Sequence, residues 1–164
     1  MSYRIGSGID FHQMVEGRDL WIGGVQIPHE KGALGHSDAD VLLHALCDAL
    51  LGALGLGDIG KHFPDTDPQY KGIDSKKLLQ RSYELIRQRD YRVVNVDTSL
   101  CLERPKIAPF LPQMQSVIAG ILNIQPSDVS VKATTTERMG FVGREEGLVA
   151  YATVLLQRDE NTAQ

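Results

Sequence analysis

Tyr3-Arg4-Ile5-Gly6-Ser7-Gly8-Ile9-Asp10-Phe11-His12 opens the chain on an alternation of residue character. Tyr3, Ile5, Ile9 and Phe11 share one parity, and Arg4, Gly6, Gly8, Asp10 and His12 share the other. Successive side chains of a strand leave opposite faces, so the pattern predicts a β-strand with Asp10 and His12 on the same side. The apolar parity predicts that Ile9 and Phe11 anchor this strand in a core. Taken alone, Asp10 and His12 would also suit a polar strand end. Taken as ligands, they offer two positions of a divalent metal site. A third ligand would leave one position open, as a catalytic zinc requires.

That third ligand is available downstream. Ser37 to Leu51 opens with capping residues and then runs strongly apolar, which predicts a helix from about Asp38. Asp40, His44 and Asp48 are four residues apart and share one helix face. His44 sits among leucines and alanines with a carboxylate one turn away on either side. This suits a metal ligand whose second ring nitrogen is oriented by an outer acceptor. Asp40 and Asp48 are the candidates for that outer role, and they equally suit solvated helix positions.

At 164 residues, 42% of them apolar, the chain has the size of one domain with a substantial core. A net charge of −4 offers no basic face for a nucleic acid or an anionic membrane. Cys47 and Cys101 fall inside apolar elements and read as buried thiols of a reducing compartment. No leader pattern precedes the first strand, and the stretch from Val41 to Gly57 is interrupted by His44 and Asp48 and too short to span a bilayer. A cytoplasmic globular protein is expected.

Leu20 to Pro28 predicts a strand, or a hairpin hinged on Gly23 and Gly24. The helix carrying His44 should stop in the Gly52–Gly60 region, before a loop over Phe63–Pro68. Asp74 and Ser75 cap a second helix with a Leu78, Leu79, Ser82, Tyr83, Ile86 stripe. Tyr91 to Leu102 predicts a strand with Val94, Val96, Leu100 and Leu102 on one face. Pro112 starts a third helix carrying Met114, Val117, Ile118 and Ile121, and Val129–Thr135 and Leu148–Gln157 complete the strands. This order predicts a single α+β domain over 1–158, a mixed β-sheet with helices packed on one face, and a disordered tail over 159–164.

A second constellation lies at Lys132-Ala133-Thr134-Thr135-Thr136-Glu137-Arg138-Met139-Gly140-Phe141-Val142-Gly143-Arg144. Three threonines are also common at a strand end. Here a carboxylate and two arginines follow at once. Hydroxyls and guanidinium groups both donate to phosphate oxygens. A glutamate among phosphate-binding groups is repulsive unless it holds a hard cation, and Mg²⁺ is commonly held by one or two carboxylates plus substrate phosphates. The pattern therefore implies a metal-bridged diphosphate. Gly6 and Gly8 make no dinucleotide fingerprint, because no third glycine follows at the required spacing.

Taken together, these stretches closely resemble the 2-C-methyl-D-erythritol 2,4-cyclodiphosphate synthases of the non-mevalonate isoprenoid pathway. The resemblance runs through Arg4–His12, Gly35–Val41, His44 with Asp48–Gly52, Gly57–Gly60, Phe63–Pro68, Arg104–Lys106, Lys132–Glu137 and Gly140–Gly147. Two positions depart from the family's usual form: Ala39 stands where glycine is usual and Glu103 where glutamine is frequent. The chain is too short for the cytidylyltransferase domain fused to some relatives, so a monofunctional enzyme is expected.

The resemblance implies a homotrimer with an active site at each junction between subunits. It implies a cytidine diphosphate derivative of methylerythritol 2-phosphate as substrate, and the cyclic diphosphate and CMP as products. It assigns Asp10, His12 and His44 to one zinc per subunit, Glu137 to Mg²⁺ or Mn²⁺, and His36 and Thr135 to transition-state stabilisation. Asp58, Ile59, Gly60, Phe63, Pro64, Asp65, Thr66 and Asp67 are implied contacts of the methylerythritol phosphate part, and Ser37 is an implied substrate contact. Leu102, Glu103, Arg104, Pro105, Lys106, Ile107 and Ala108 are implied contacts of the cytidine part, through backbone groups. Thr134, Thr136, Phe141 and Arg144 complete the implied substrate contacts. Rival readings are a zinc phosphohydrolase and a trimeric binder of nucleotides or isoprenoid diphosphates, but a pure binder has no need of Asp10, His12, His44 and Glu137 together.

Overall fold

The computed structural model describes residues 2–159. Its organising contact is a seam between the first strand, β1 (Tyr3–Glu16), and the first long helix, α1 (Val41–Ala53). Gly6 and Gly8 face the helix so closely that a Cβ on Gly6 would stand 1.9 Å from the Ala49 carbonyl oxygen, and one on Gly8 2.0 Å from that of Ala45. Only glycine permits two backbones to lie this near one another. Ala45, Ala49 and Ala53 supply the matching small side chains, four residues apart on one helix face.

This seam corrects the expected inside of β1. Ile9 and Phe11 do not anchor a core: Ile5 is 72% and Phe11 53% exposed, and Tyr3 and Ile9 are exposed with them. The alternation is present, but the glycine parity turns inward, because a helix packs nearer to a face without Cβ atoms.

β1 sits second in a five-stranded sheet of order β4-β1-β7-β5-β6. β4 (Lys31–Leu34) is a short antiparallel edge strand, β7 (Gly147–Arg158) and β5 (Tyr91–Cys101) are central, and β6 (Val129–Thr134) runs parallel to β5. The expected hairpin at Leu20–Pro28 is β2 (Leu20–Ile22) and β3 (Val25–Ile27), joined by Gly23 and Gly24, both with positive φ as a two-residue primed turn requires. A bulge between Val93 and Asn95 shifts the parity of β5, so Val93 is buried where Val94 was expected.

The helices cover one face of the sheet. α1 lies between β1, β7 and the later helix α3 (Ser75–Arg87); a one-turn helix, α2 (Ile59–His62), comes between them in sequence. Asp74 caps α3 by accepting from Lys76 N, and the expected stripe of Leu78, Leu79, Ser82, Tyr83 and Ile86 is buried. α4 (Leu111–Leu122) packs Met114, Ile118 and Leu122 into the same core, and the short α5 (Gly140–Gly143) precedes β7. The mixed sheet with one covered face is the α+β domain expected. Neither β4, α2 nor α5 was legible in the sequence: each is only four residues long. No helix among the described residues is long and apolar enough to cross a membrane. Of the tail expected over 159–164, only Asp159 is among the described residues, where it pairs with Arg87 and Arg92.

Candidate metal centre and flanking clefts

The seam brings His44, one residue before Ala45, down beside Asp10 and His12. Three ligand atoms converge there: Asp10 Oδ2 lies 2.9 Å from His12 Nε2 and 3.2 Å from His44 Nδ1, and the two nitrogens are 3.2 Å apart. Ligand atoms of a tetrahedral zinc with bonds of about 2.0–2.1 Å are about 3.3–3.4 Å from one another. The triangle is therefore close to one face of such a tetrahedron. All three side chains are partly buried, and His12 and His44 line a cleft.

The hydrogen bonds behind the ligands decide their protonation. His12 Nδ1 donates to the Leu34 carbonyl at 2.9 Å, which leaves a lone pair on Nε2. His44 Nε2 faces Ser75 Oγ at 2.9 Å and Ser37 Oγ at 3.1 Å. Ser75 Oγ donates to Asp38 and so accepts from His44 Nε2, leaving the lone pair on Nδ1. Two imidazole lone pairs and a carboxylate oxygen then point at one spot. That arrangement is repulsive without a proton or a cation, and it fits a divalent metal. Burial would raise the Asp10 carboxyl, but its bonds to His12 and His44 outweigh this and hold it down at about 2. Burial works to lower His12, yet Asp10 and the Leu34 carbonyl hold it above the usual imidazole range.

The outer support of His44 is thus Ser75 with Asp38 and Ser37, not Asp40 or Asp48 as the sequence suggested. Ser75 was legible only as a helix-capping residue, because its approach to His44 depends on how α3 meets α1. Asp40 is fully buried as the cap of α1, accepting from Leu43 N at 3.0 Å and from Gly23 N and Gly24 N at 2.9 and 2.7 Å. Burial raises its carboxyl against those three donors. Asp48 accepts from Ile59 N at 2.7 Å and so ties the α2 loop to α1. Neither is a solvated helix position. Cys47 is buried on the same helix, which pushes its thiol up to about 12 and leaves it a packing residue.

His12 and His44 open into a cleft of about 170 Å³ that also takes in His36, Ser37, Ile59, Phe63 and Tyr70. Ile59 and Phe63, one from each segment implied to contact the methylerythritol phosphate, therefore share a cleft with His12 and His44. Asp58 caps α2 by accepting from Lys61 N, with Gly60 exposed beyond it. From Pro64 the loop runs outward: Asp65 and Thr66 are exposed, and Asp67 caps the turn at Pro68–Tyr70.

A second cleft, of about 270 Å³, is lined by Leu102, Glu103, Pro105, Lys106, Ile107 and Ala108 from the end of β5 and by Ala133, Thr134 and Thr135 from β6. The segment 102–108 and the threonine run thus share one surface. The Arg104 side chain is elsewhere, bound by both oxygens of Glu145 at 2.8 and 2.9 Å. Arg144 is paired with Glu146, and Phe141 lies against Phe11 with ring centroids 6.3 Å apart. Glu137 is exposed just beyond Thr135, which donates to it at 3.4 Å.

Within one chain the two clefts are apart. Asp10 is in register with Ala150, Ala150 with Leu100, and Leu100 with Ala133. Three strand steps of about 4.8 Å separate them by about 14 Å. A larger cavity of about 680 Å³, between Arg4, Gly55 and Arg89, lies at the opposite end of β1 and includes none of the metal triad.

The profile of the YgbB family matches residues 3–157. The chain belongs to the YgbB family. A relative from Bacteroides thetaiotaomicron, named 2-C-methyl-D-erythritol 2,4-cyclodiphosphate synthase, is 58% identical over 97% of this chain and 100% of its own length. Among solved structures, the bifunctional IspDF from Campylobacter jejuni superposes with a TM-score of 0.93 and 42% identity over 96% of this chain, which spans 43% of that longer protein. The CDP complex of IspF from Plasmodium falciparum superposes with a TM-score of 0.85 and 34% identity, covering 97% of this chain and 98% of that one.

Proposed function

We propose that the chain converts 4-diphosphocytidyl-2-C-methyl-D-erythritol 2-phosphate to 2-C-methyl-D-erythritol 2,4-cyclodiphosphate with release of CMP, as a cyclising phosphorus–oxygen lyase. What carries this reading is the ligand triad of Asp10, His12 and His44, opening into a cleft, on a chain so similar along its whole length to synthases of that name.

The reaction needs no protein nucleophile. The attacking group is the substrate's own 2-phosphate, mostly dianionic near neutral pH because its second pKa is about 6. What it needs is a folded substrate and cancelled charge. Asp10, His12 and His44 would hold one zinc per chain, and Glu137 an Mg²⁺ or Mn²⁺ ion; together they supply charge neutralisation across the diphosphate. The cleft with His36, Ser37, Ile59 and Phe63 receives the methylerythritol phosphate part. The Leu102–Ala108 cleft receives the cytidine. Held between them, the flexible substrate reacts intramolecularly, which removes much of the entropic barrier. His36 and Thr135 donate to oxygens on which charge builds up.

In this reading the active unit is a cytoplasmic homotrimer. The exposed outer face of the sheet, with Tyr3, Ile5, Ile9, Phe11 and Tyr151, supplies an apolar surface that assembly would cover. The separation of the two clefts within one chain supports a site completed at the junction, with the triad from one subunit and the threonine run from its neighbour.

The test is phosphorus NMR of the protein with the cytidyl substrate. Signals of the cyclic diphosphate and CMP, lost on adding chelator and restored by zinc with magnesium, are expected. Linear products would mean that water attacks and that the chain is a phosphohydrolase; unchanged substrate with bound nucleotide would make it a binder.

A further inference from the structure

Beyond the end of β6, at the edge of the second cleft, runs a turn, Thr135–Arg138, with an unusual backbone. Glu137 and Arg138 have φ of +52° and +64°, the left-handed region disfavoured for residues that carry a Cβ. Two such residues in succession persist only where their surroundings hold them. Much of the hold comes from a single atom. Glu103 Oε1 accepts from Thr136 N at 3.1 Å and from Arg138 N at 3.0 Å, the amides on either side of Glu137. The Thr136 hydroxyl also lies 3.4 Å from that oxygen, but its one proton serves the Met139 carbonyl at 2.7 Å. The two backbone amides therefore carry the attachment.

The parallel pairing of β5 and β6 explains why Glu103 can reach. Cys101 is in register with Thr134, and Leu102 N donates to the Thr134 carbonyl at 3.0 Å, so Glu103 leaves its strand where the partner strand ends. From the other side Gly143 fits against the turn, where a Cβ would stand 2.1 Å from the Arg138 carbonyl carbon. The turn is held between the two.

We propose that Glu103 is a positioning residue whose side chain fixes this turn, and through it the places of Thr135 and Glu137, rather than contacting the nucleotide. The proposal rests on the roles given to Thr135 and Glu137 above. Only an acceptor oxygen is required, since neither amide bond draws a proton from Glu103. A glutamine at this position keeps the attachment and an alanine removes it.

The test compares Glu103→Ala and Glu103→Gln with the wild type by hydrogen exchange over 134–139 and by CMP release against Mg²⁺ concentration. In Glu103→Ala, exchange over the segment accelerates and the Mg²⁺ needed for half-maximal release rises about 10- to 100-fold, as when an outer support of a metal ligand is lost. Zinc content stays the same, and in Glu103→Gln the segment exchanges as in the wild type. Unchanged exchange in Glu103→Ala overturns the proposal, as does a Glu103→Gln whose segment exchanges as fast as that of the alanine variant. So does faster exchange with a wild-type Mg²⁺ curve while Glu137→Gln is shifted. If exchange accelerates and neither Glu103→Ala nor Glu137→Gln moves the Mg²⁺ curve, Glu103 still pins the turn and it is the metal role of Glu137 that falls.

Discussion

On β1, the face turned to α1 carries Gly6, Gly8, Asp10 and His12, and the opposite face carries Tyr3, Ile5, Ile9 and Phe11. The inner face has little apolar surface to bury, yet it is the one that decides the structure. Its glycines let the Ala45–Ala49 row of α1 settle against the strand backbone, and this depth lets His44 meet Asp10 and His12. The outer face is rich in apolar surface and free of such constraint. One face builds the candidate metal centre; the other, in the proposed trimer, builds the assembly.

Substitutions on the two faces should therefore fail differently. The largest effect on the fold is expected from Gly8→Ala, a single methyl aimed at a backbone carbonyl 2.0 Å away that cannot step aside. Overpacking usually costs about 1–3 kcal/mol and more where backbone must move, so a loss of about 3 kcal/mol or more is expected. Thermal denaturation should then fall by about 10 °C. A Tm within a degree or two of wild type would mean that α1 does not lie as close to β1 as described.

An intermediate effect is expected from His44→Ala. It leaves the seam intact but removes one of three ligands and the partner of Ser75 and Ser37. Metal analysis should find zinc reduced from about one per chain to near none. Loss of those two bonds should cost about 1–3 kcal/mol, with the fold retained. Normal zinc in this variant would remove His44 from the site.

The smallest effect on the chain's own stability is expected from Ile9→Asp on the outer face. A polar residue on an exposed strand face costs about 1 kcal/mol or less through strand propensity. Light scattering should nevertheless show the assembly reduced to smaller species, because in the proposed trimer three copies of this charge would stand in the covered surface. A trimer mass unchanged by Ile9→Asp would detach the outer face from assembly.

How much of this was legible in the sequence follows from the same comparison. Period-two alternation identified which residues of β1 share a face, and so paired Asp10 with His12. It could not say which face is inside, because hydrophobicity favoured Ile9 and Phe11 while the decisive fact, the nearness of a helix, resides in Ala45 and Ala49 more than thirty residues away. The convergence of Asp10, His12 and His44 was readable because period-two and period-four spacing fixed the faces from which they project. Their supports were not, since Ser75 meets His44 only through the packing of α3 on α1. Ala39, noted as standing where glycine is usual, has a φ of +57°, so the departure falls where glycine would be unstrained. The bulge at Val94 left no mark in the alternation of β5.

The central claim, that one reaction centre draws on the triad of one subunit and the threonine run of another, is open to a direct measurement. His44→Ala and Glu137→Gln are each expected to release little CMP on their own. Co-expressed in equal amounts, they form mixed trimers in which half the triads and half the Glu137 carboxylates are intact, so about one junction in four is complete. The account predicts CMP release by the mixture at about a quarter of the wild-type rate, far above either variant alone. A mixture of exchanged subunits that stays as inactive as its parents would contradict it, and would place both sets of residues in the same chain's site.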